Sequence, residues 1–120
     1  MNMKKQKIAW DVDDSLIIPA MVAETPVDVP NYENIAIYNW FKAQGYYMII
    51  WSGGGKSYAE MWGEKLGLKA DEYRDKSDLQ PADPEIAIAF DDCDVDLAKV
   101  NIKVGRLKNS ISRSEWNKHK

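Results

Sequence analysis

The stretch Ile8-Ala9-Trp10-Asp11-Val12-Asp13-Asp14-Ser15 sets three apolar residues against an abrupt change to carboxylates. A short apolar run that stops in polar residues reads as a strand buried on both faces, delivering side chains at its carboxyl end. The pattern recurs twice downstream. Tyr47-Met48-Ile49-Ile50-Trp51 runs into Ser52-Gly53-Gly54-Gly55, and Ile86-Ala87-Ile88-Ala89-Phe90 runs into Asp91-Asp92. A fourth strand is expected from Val100 to Val104, closed by Gly105, and a further short one between Leu68 and Tyr73.

Helical patterns fill the intervals. Asn31 is a suitable cap for a helix from Tyr32, with Ile37, Trp40, Phe41 and Gln44 on one face and Gly45 as its stop. A second helix is expected from Lys56 to Leu66, carrying Tyr58, Met61, Trp62 and Leu66 at helical spacing and ending at Gly67. Gly63 weakens its interior. A short third helix is expected over Val95 to Lys99. Alternating strands and helices predict an α/β, Rossmann-like doubly wound fold, its mostly parallel sheet carrying helices on both faces. Residues 17 to 30 hold Pro19, Pro26 and Pro30 and read as an irregular flap or small hairpin. From Lys108 to Lys120 the chain is polar and basic, with Trp116 as its largest apolar side chain.

At 120 residues this is one expected domain, 1–120, with its core over about 6–107. With 45% hydrophobic and 11% aromatic residues, the chain is too apolar for disorder. Its net charge of −3 argues against a general attraction for nucleic acid. A single Cys (Cys93) and a single His (His119) exclude a disulfide framework and a Cys/His zinc site. The first apolar stretch is too short for a secretory signal, and no stretch could span a membrane, so a cytoplasmic protein is expected.

In open parallel sheets ligands bind beyond the carboxyl ends of the strands. Asp11, Asp13, Asp91 and Asp92 would gather there, repelling one another unless a cation lies among them. An all-oxygen donor set points to Mg2+. Ser52, Gly53 and Gly54 would lie where a strand turns into a helix N-terminus, a place that favours phosphate. Gly55-Lys56-Ser57 is not a P-loop end, because Ile50 stands where the first Gly belongs. Asp92 to Asp96 is not a calcium loop, since Leu97 and Lys103 replace its turn Gly and its Glu.

The ordered set of Asp-x-Asp-x-Ser, Ser-Gly-Gly and Asp-Asp, each ending an apolar strand, resembles the haloacid dehalogenase (HAD) superfamily over about residues 6 to 105. The resemblance implies a phosphatase with Asp11 as nucleophile and Asp13 as general acid and base. It implies Ser52 and the Gly53 N–H on the phosphoryl oxygens. Mg2+ would be held by Asp11, the Asp13 carbonyl, Asp91 and Asp92. The family's neutralising lysine is assigned by order to Lys76, with Lys56 and Lys65 as rivals. Asp14 departs from the commoner Gly and adds negative charge, and Ser15 replaces the commoner Thr. Neither usual insertion point has room for a cap domain, so the site is expected to be open and suited to a bulky phosphomonoester. A phosphorylated nucleic-acid end is compatible, as is a small substrate, and the chain would act as a monomer or small homo-oligomer. The alternative is a non-catalytic phosphate- or metal-binding regulatory module on the same fold. A receiver domain fits poorly, because Ser52 stands where its phosphoacceptor Asp would be.

Overall fold

The computed structural model describes residues 5–76, 85–93 and 95–104. Five parallel strands form the sheet: β1 (Lys7–Asp11), β4 (Tyr47–Ser52), β5 (Glu72–Asp75), β6 (Ile86–Asp91) and β7 (Val100–Lys103), in the order β5-β4-β1-β6-β7. The chain first builds outward from β1 through β4 to β5, then crosses back to β6 on the other side. The fold is therefore α/β and Rossmann-like, doubly wound, with its switch point between β1 and β6.

Register puts the functional ends level. Asp11 pairs with Trp51, the neighbour of Ser52, while Trp10 pairs with Phe90, the neighbour of Asp91. Asp11, Ser52 and Asp91 are each the last residue of their strand. A shift of register between Lys7 and Ile8 lets β6 keep this alignment.

Helices α2 (Tyr32–Ala43) and α3 (Lys56–Lys65) follow β1 and β4. Two successive right-handed crossovers to the same side place both helices on one face of the sheet. There Tyr38 of α2 and Ala59 and Trp62 of α3 join Ile8, Trp10, Met48, Ile50 and Phe90 in one core. Trp10 stacks on Phe90 with ring centroids 4.0 Å apart. The opposite face gathers Ala9, Ile49, Trp51, Ile86 and Ala89 under Leu97. Helices were expected on both faces. Among the described residues that second face is covered by the segment around Val95 to Ala98 instead.

Four expectations need correction. Residues 95–99 are not a helix, because Asn101 Oδ1 accepts from Leu97 and Ala98 N–H at 2.9 and 3.0 Å and pulls the segment into a loop. On α2 the inward stripe is Ile35, Tyr38 and Phe41, whereas Ile37 and Trp40 are 42% and 57% exposed. On α3, Met61 faces solvent and Ala59 takes the buried place. Strand β5 begins at Glu72 rather than Leu68. Leu68 is instead a buried plug, and Asp71 anchors the strand's start through bonds between its N–H and Met48 O and between Met48 N–H and its Oδ2.

The flap is a small hairpin. Strand β2 (Ile17–Ile18) pairs antiparallel with β3 (Val29–Pro30), and one helical turn, α1 (Ala20–Ala23), lies between them. Asp28 Oδ1 closes it by accepting from Ala20 N–H at 2.8 Å. Among the described residues no helix is long and apolar enough to cross a membrane. The expected tail from Lys108 lies outside the described residues.

Candidate active site

Asp11 ends β1 almost fully buried, and the chain then winds tightly around one carbonyl. Val12 O accepts from the N–H groups of Ser15, Leu16 and Ile17 at 3.2, 3.0 and 3.1 Å. Asp14 adopts φ 60°, a left-handed conformation that Asp tolerates better than most residues. This turn carries Asp13 outward, where its carboxylate is exposed, and returns Ser15 inward. Ser15 Oγ donates to Asp11 Oδ2 at 3.3 Å. Asn34 of α2 fixes the turn from outside, its Nδ2 donating to Ser15 O at 2.8 Å.

Lys76 follows β5 directly, and its ammonium reaches two carboxylates. Nζ lies 3.4 Å from Asp11 Oδ1 and forms an ion pair with Asp91 Oδ2. Asp91, wholly buried, also accepts from Cys93 N–H at 3.0 Å. Burial pushes the Asp11 carboxyl up to about 8, helped by the charge of Asp91 and by Asp92, against the opposing pull of Lys76. Burial raises Asp91 as well, opposed by Lys76 and by the Cys93 amide. Burial works against the Lys76 ammonium, but its bonds and charge contacts with Asp91 and Asp11 outweigh that and hold its pKa high. The cluster thus carries more carboxylate than one lysine neutralises.

This donor set fits a hard divalent cation. Asp91 and Asp92 lie close enough together for a shared ion, and Asp92 also acts on Asp11 through a side-chain hydrogen bond. Cys93 shares that neighbourhood. Its thiol is raised by burial and by the charges of Asp92 and Asp91, and as a soft donor it suits a hard divalent cation less well than the carboxylates do. The side chain of Asp13 points elsewhere, so only its backbone carbonyl is a candidate donor. Among the sequence's rivals to Lys76, Lys56 is exposed on the first turn of α3, and Lys65 lies against the Trp62 ring, 5.2 Å from its centroid.

At the end of β4 the buried Ser52 Oγ accepts from Gly54 N–H at 2.9 Å. That bond uses the Ser52 oxygen as acceptor and engages the Gly54 amide inside the loop. Gly53 is exposed with open space at its Cα. Gly54 has a different necessity: a Cβ there would lie 3.2–3.3 Å from the Tyr58 ring and 3.3 Å from Ser52 Oγ. Gly55, at φ 107°, precedes α3, and no side chain caps that helix, so its first amides face the loop unshielded.

Tyr58 was read from the sequence as a packing residue and was missed as a site residue. Its hydroxyl donates to Asp13 Oδ1 at 2.8 Å across 45 positions of sequence. Burial and the Asp13 bond raise its phenol to about 12, opposed by a side-chain hydrogen bond with Trp62. One helical turn further along α3, a cavity of about 490 Å³ opens against the flap, lined by Ala20, Pro26, Val27, Asp28, Trp62 and Lys65.

No family model matches the chain, and no curated protein matches it. It is similar to a chain in the structure of the Pnkp1/Rnl/Hen1 RNA repair complex, with a TM-score of 0.52 and 21% identity. The match covers 72% of this chain and 36% of that one, so this chain spans about a third of its neighbour's length. At that identity the likeness bears on the fold.

Proposed function

We propose that this protein is a HAD-type, Mg2+-dependent phosphohydrolase that works through an aspartyl-phosphate. The observation that carries the reading is Asp11: a buried carboxylate at the switch point, against Lys76 and Asp91 and level with Ser52 on the next strand. An Asp11 oxygen attacks phosphorus, and the bond to the leaving oxygen breaks with its electron pair. Asp13 gives its proton to that oxygen. Water then attacks the phosphoryl group, Asp13 takes the water's proton, and Asp11 is released as carboxylate. Ser52 Oγ–H and the Gly53 N–H donate to the phosphoryl oxygens, and Lys76 offsets charge on nucleophile and phosphate. Bound Mg2+, held by Asp11, Asp91, Asp92 and the Asp13 carbonyl, would supply the remaining positive charge.

The substrate is a phosphomonoester reached from open solvent, since the flap hairpin is too small to enclose it. The similarity to a chain of an RNA repair complex makes phosphorylated polynucleotide ends the first bulky substrates to try. The test is phosphate release from 4-nitrophenyl phosphate and from 3′- and 5′-phosphorylated oligonucleotides, with Mg2+ or with EDTA. Turnover should require Mg2+, and Asp11→Asn should lower it by at least about three orders of magnitude. Release by Asp11→Asn above a tenth of wild type rules out the covalent route. Phosphate binding without turnover would instead favour a regulatory module.

A further inference from the structure

We propose that Tyr58 is a positioning residue for the general acid, holding Asp13 over the phosphate loop. This rests on the phosphohydrolase reading above and deepens it. The Asp13 side chain is exposed and extends from a turn whose backbone is fixed by three bonds to Val12 O. A fixed backbone does not fix an exposed carboxylate, which can still take several staggered rotamers. The Tyr58 hydroxyl selects one of them by donating to Oδ1 at 2.8 Å. Oδ2 is left to carry the proton for the leaving oxygen.

The phenol is itself held rigidly. It rises from the first turn of α3, three residues after Gly55, and its ring lies against Gly54. Any side chain at position 54 would press on that ring at 3.2–3.3 Å. The same glycine also gives its N–H to Ser52 Oγ at 2.9 Å. One loop therefore sets the phosphoryl-binding serine and the tyrosine that holds the acid, which ties their relative positions together. When the P–O bond breaks, the proton passes from Asp13 to the leaving oxygen and Tyr58 keeps its own.

A positioned acid matters in proportion to how poorly the leaving group departs unaided. 4-Nitrophenolate needs little help, whereas an alkoxide needs a proton. Tyr58→Phe keeps the ring and its packing, so the protein should fold, as a melting curve would verify. Its kcat on an alkyl phosphate such as glycerol phosphate should fall about tenfold more than its kcat on 4-nitrophenyl phosphate, a fraction of the roughly 10²–10⁴ that general acids contribute. The change should fall on kcat and not KM. In an Asp13→Asn background, Tyr58→Phe should add no further discrimination. Equal losses on both substrates, a gain on the alkyl phosphate, or an undiminished effect beside Asp13→Asn would overturn the proposal and leave the phosphohydrolase reading standing. A wild type that releases phosphate from no monoester overturns both.

Discussion

Lys76 faces two buried carboxylates while only about a fifth of its own side chain meets solvent. An ammonium so placed serves stability and chemistry together, and the two can be separated by experiment. Lys76→Ala leaves Asp91 buried without its ion-pair partner, which should cost about 3 kcal/mol at neutral pH. It should also lower kcat by about 10²–10³, the usual loss when a charge-stabilising donor is removed. Lys56 sits exposed at the positive end of the α3 dipole, so Lys56→Ala should do far less. Melting curves and steady-state kinetics on the two variants decide between them. A larger kinetic loss in Lys56→Ala would move the neutralising role to the glycine loop.

At the level of the element, α3 is built around a defect. Gly63 lowers helix propensity by about 1 kcal/mol relative to Ala. A Cβ there would lie 2.5 Å from Cε1 and 2.6 Å from the hydroxyl of Tyr73 on β5, so the glycine is what allows helix and strand to close. Overpacking typically costs about 1–3 kcal/mol and should outweigh the gain in propensity. Gly63→Ala is therefore expected to lower Tm. With Tyr73→Leu as background, the same change should raise it, because the ring is gone and only the propensity remains. Lys76 follows β5 immediately, so the Gly63→Ala variant should also lose activity if the strand end shifts.

Across the whole molecule, the buried acidic cluster sets a pH dependence. The Asp11 carboxyl goes from 3.8 unfolded to about 8 folded, chiefly through burial. Between those values the folded protein binds more protons than the unfolded chain, so stability without metal should fall as pH rises through that window. Thermal melts in EDTA from pH 4 to pH 8 should show the decline, and Asp11→Asn should flatten it. Millimolar Mg2+ should raise Tm most at the upper end, where the carboxylates are ionised, by mass action on the folded state. Identical curves in EDTA and Mg2+ at pH 8 would exclude a cation site.

Sequence alone determined the parts of this protein whose causes are local. Ile-rich runs that stop at Asp11, Ser52 and Asp91 could be strands ending at one sheet edge, and the structure ends β1, β4 and β6 at those residues. Asn31 and Gly45 bounded α2 because caps and positive φ are properties of single residues. Tertiary structure alone decided which side of α2 is buried. That helix carries Tyr32, Ile35, Ile37, Tyr38, Trp40 and Phe41, so its apolar residues nearly encircle it, and periodicity gives a spacing without a phase. It also decided that Asn101 would close residues 95–99 as a loop, and that β5 would wait for Asp71 to meet Met48. The bond from Tyr58 to Asp13 had no local signal at all. A hydrogen bond spanning 45 positions exists because the switch-point turn and the first turn of α3 meet at one sheet edge, and that meeting is a property of the packed sheet.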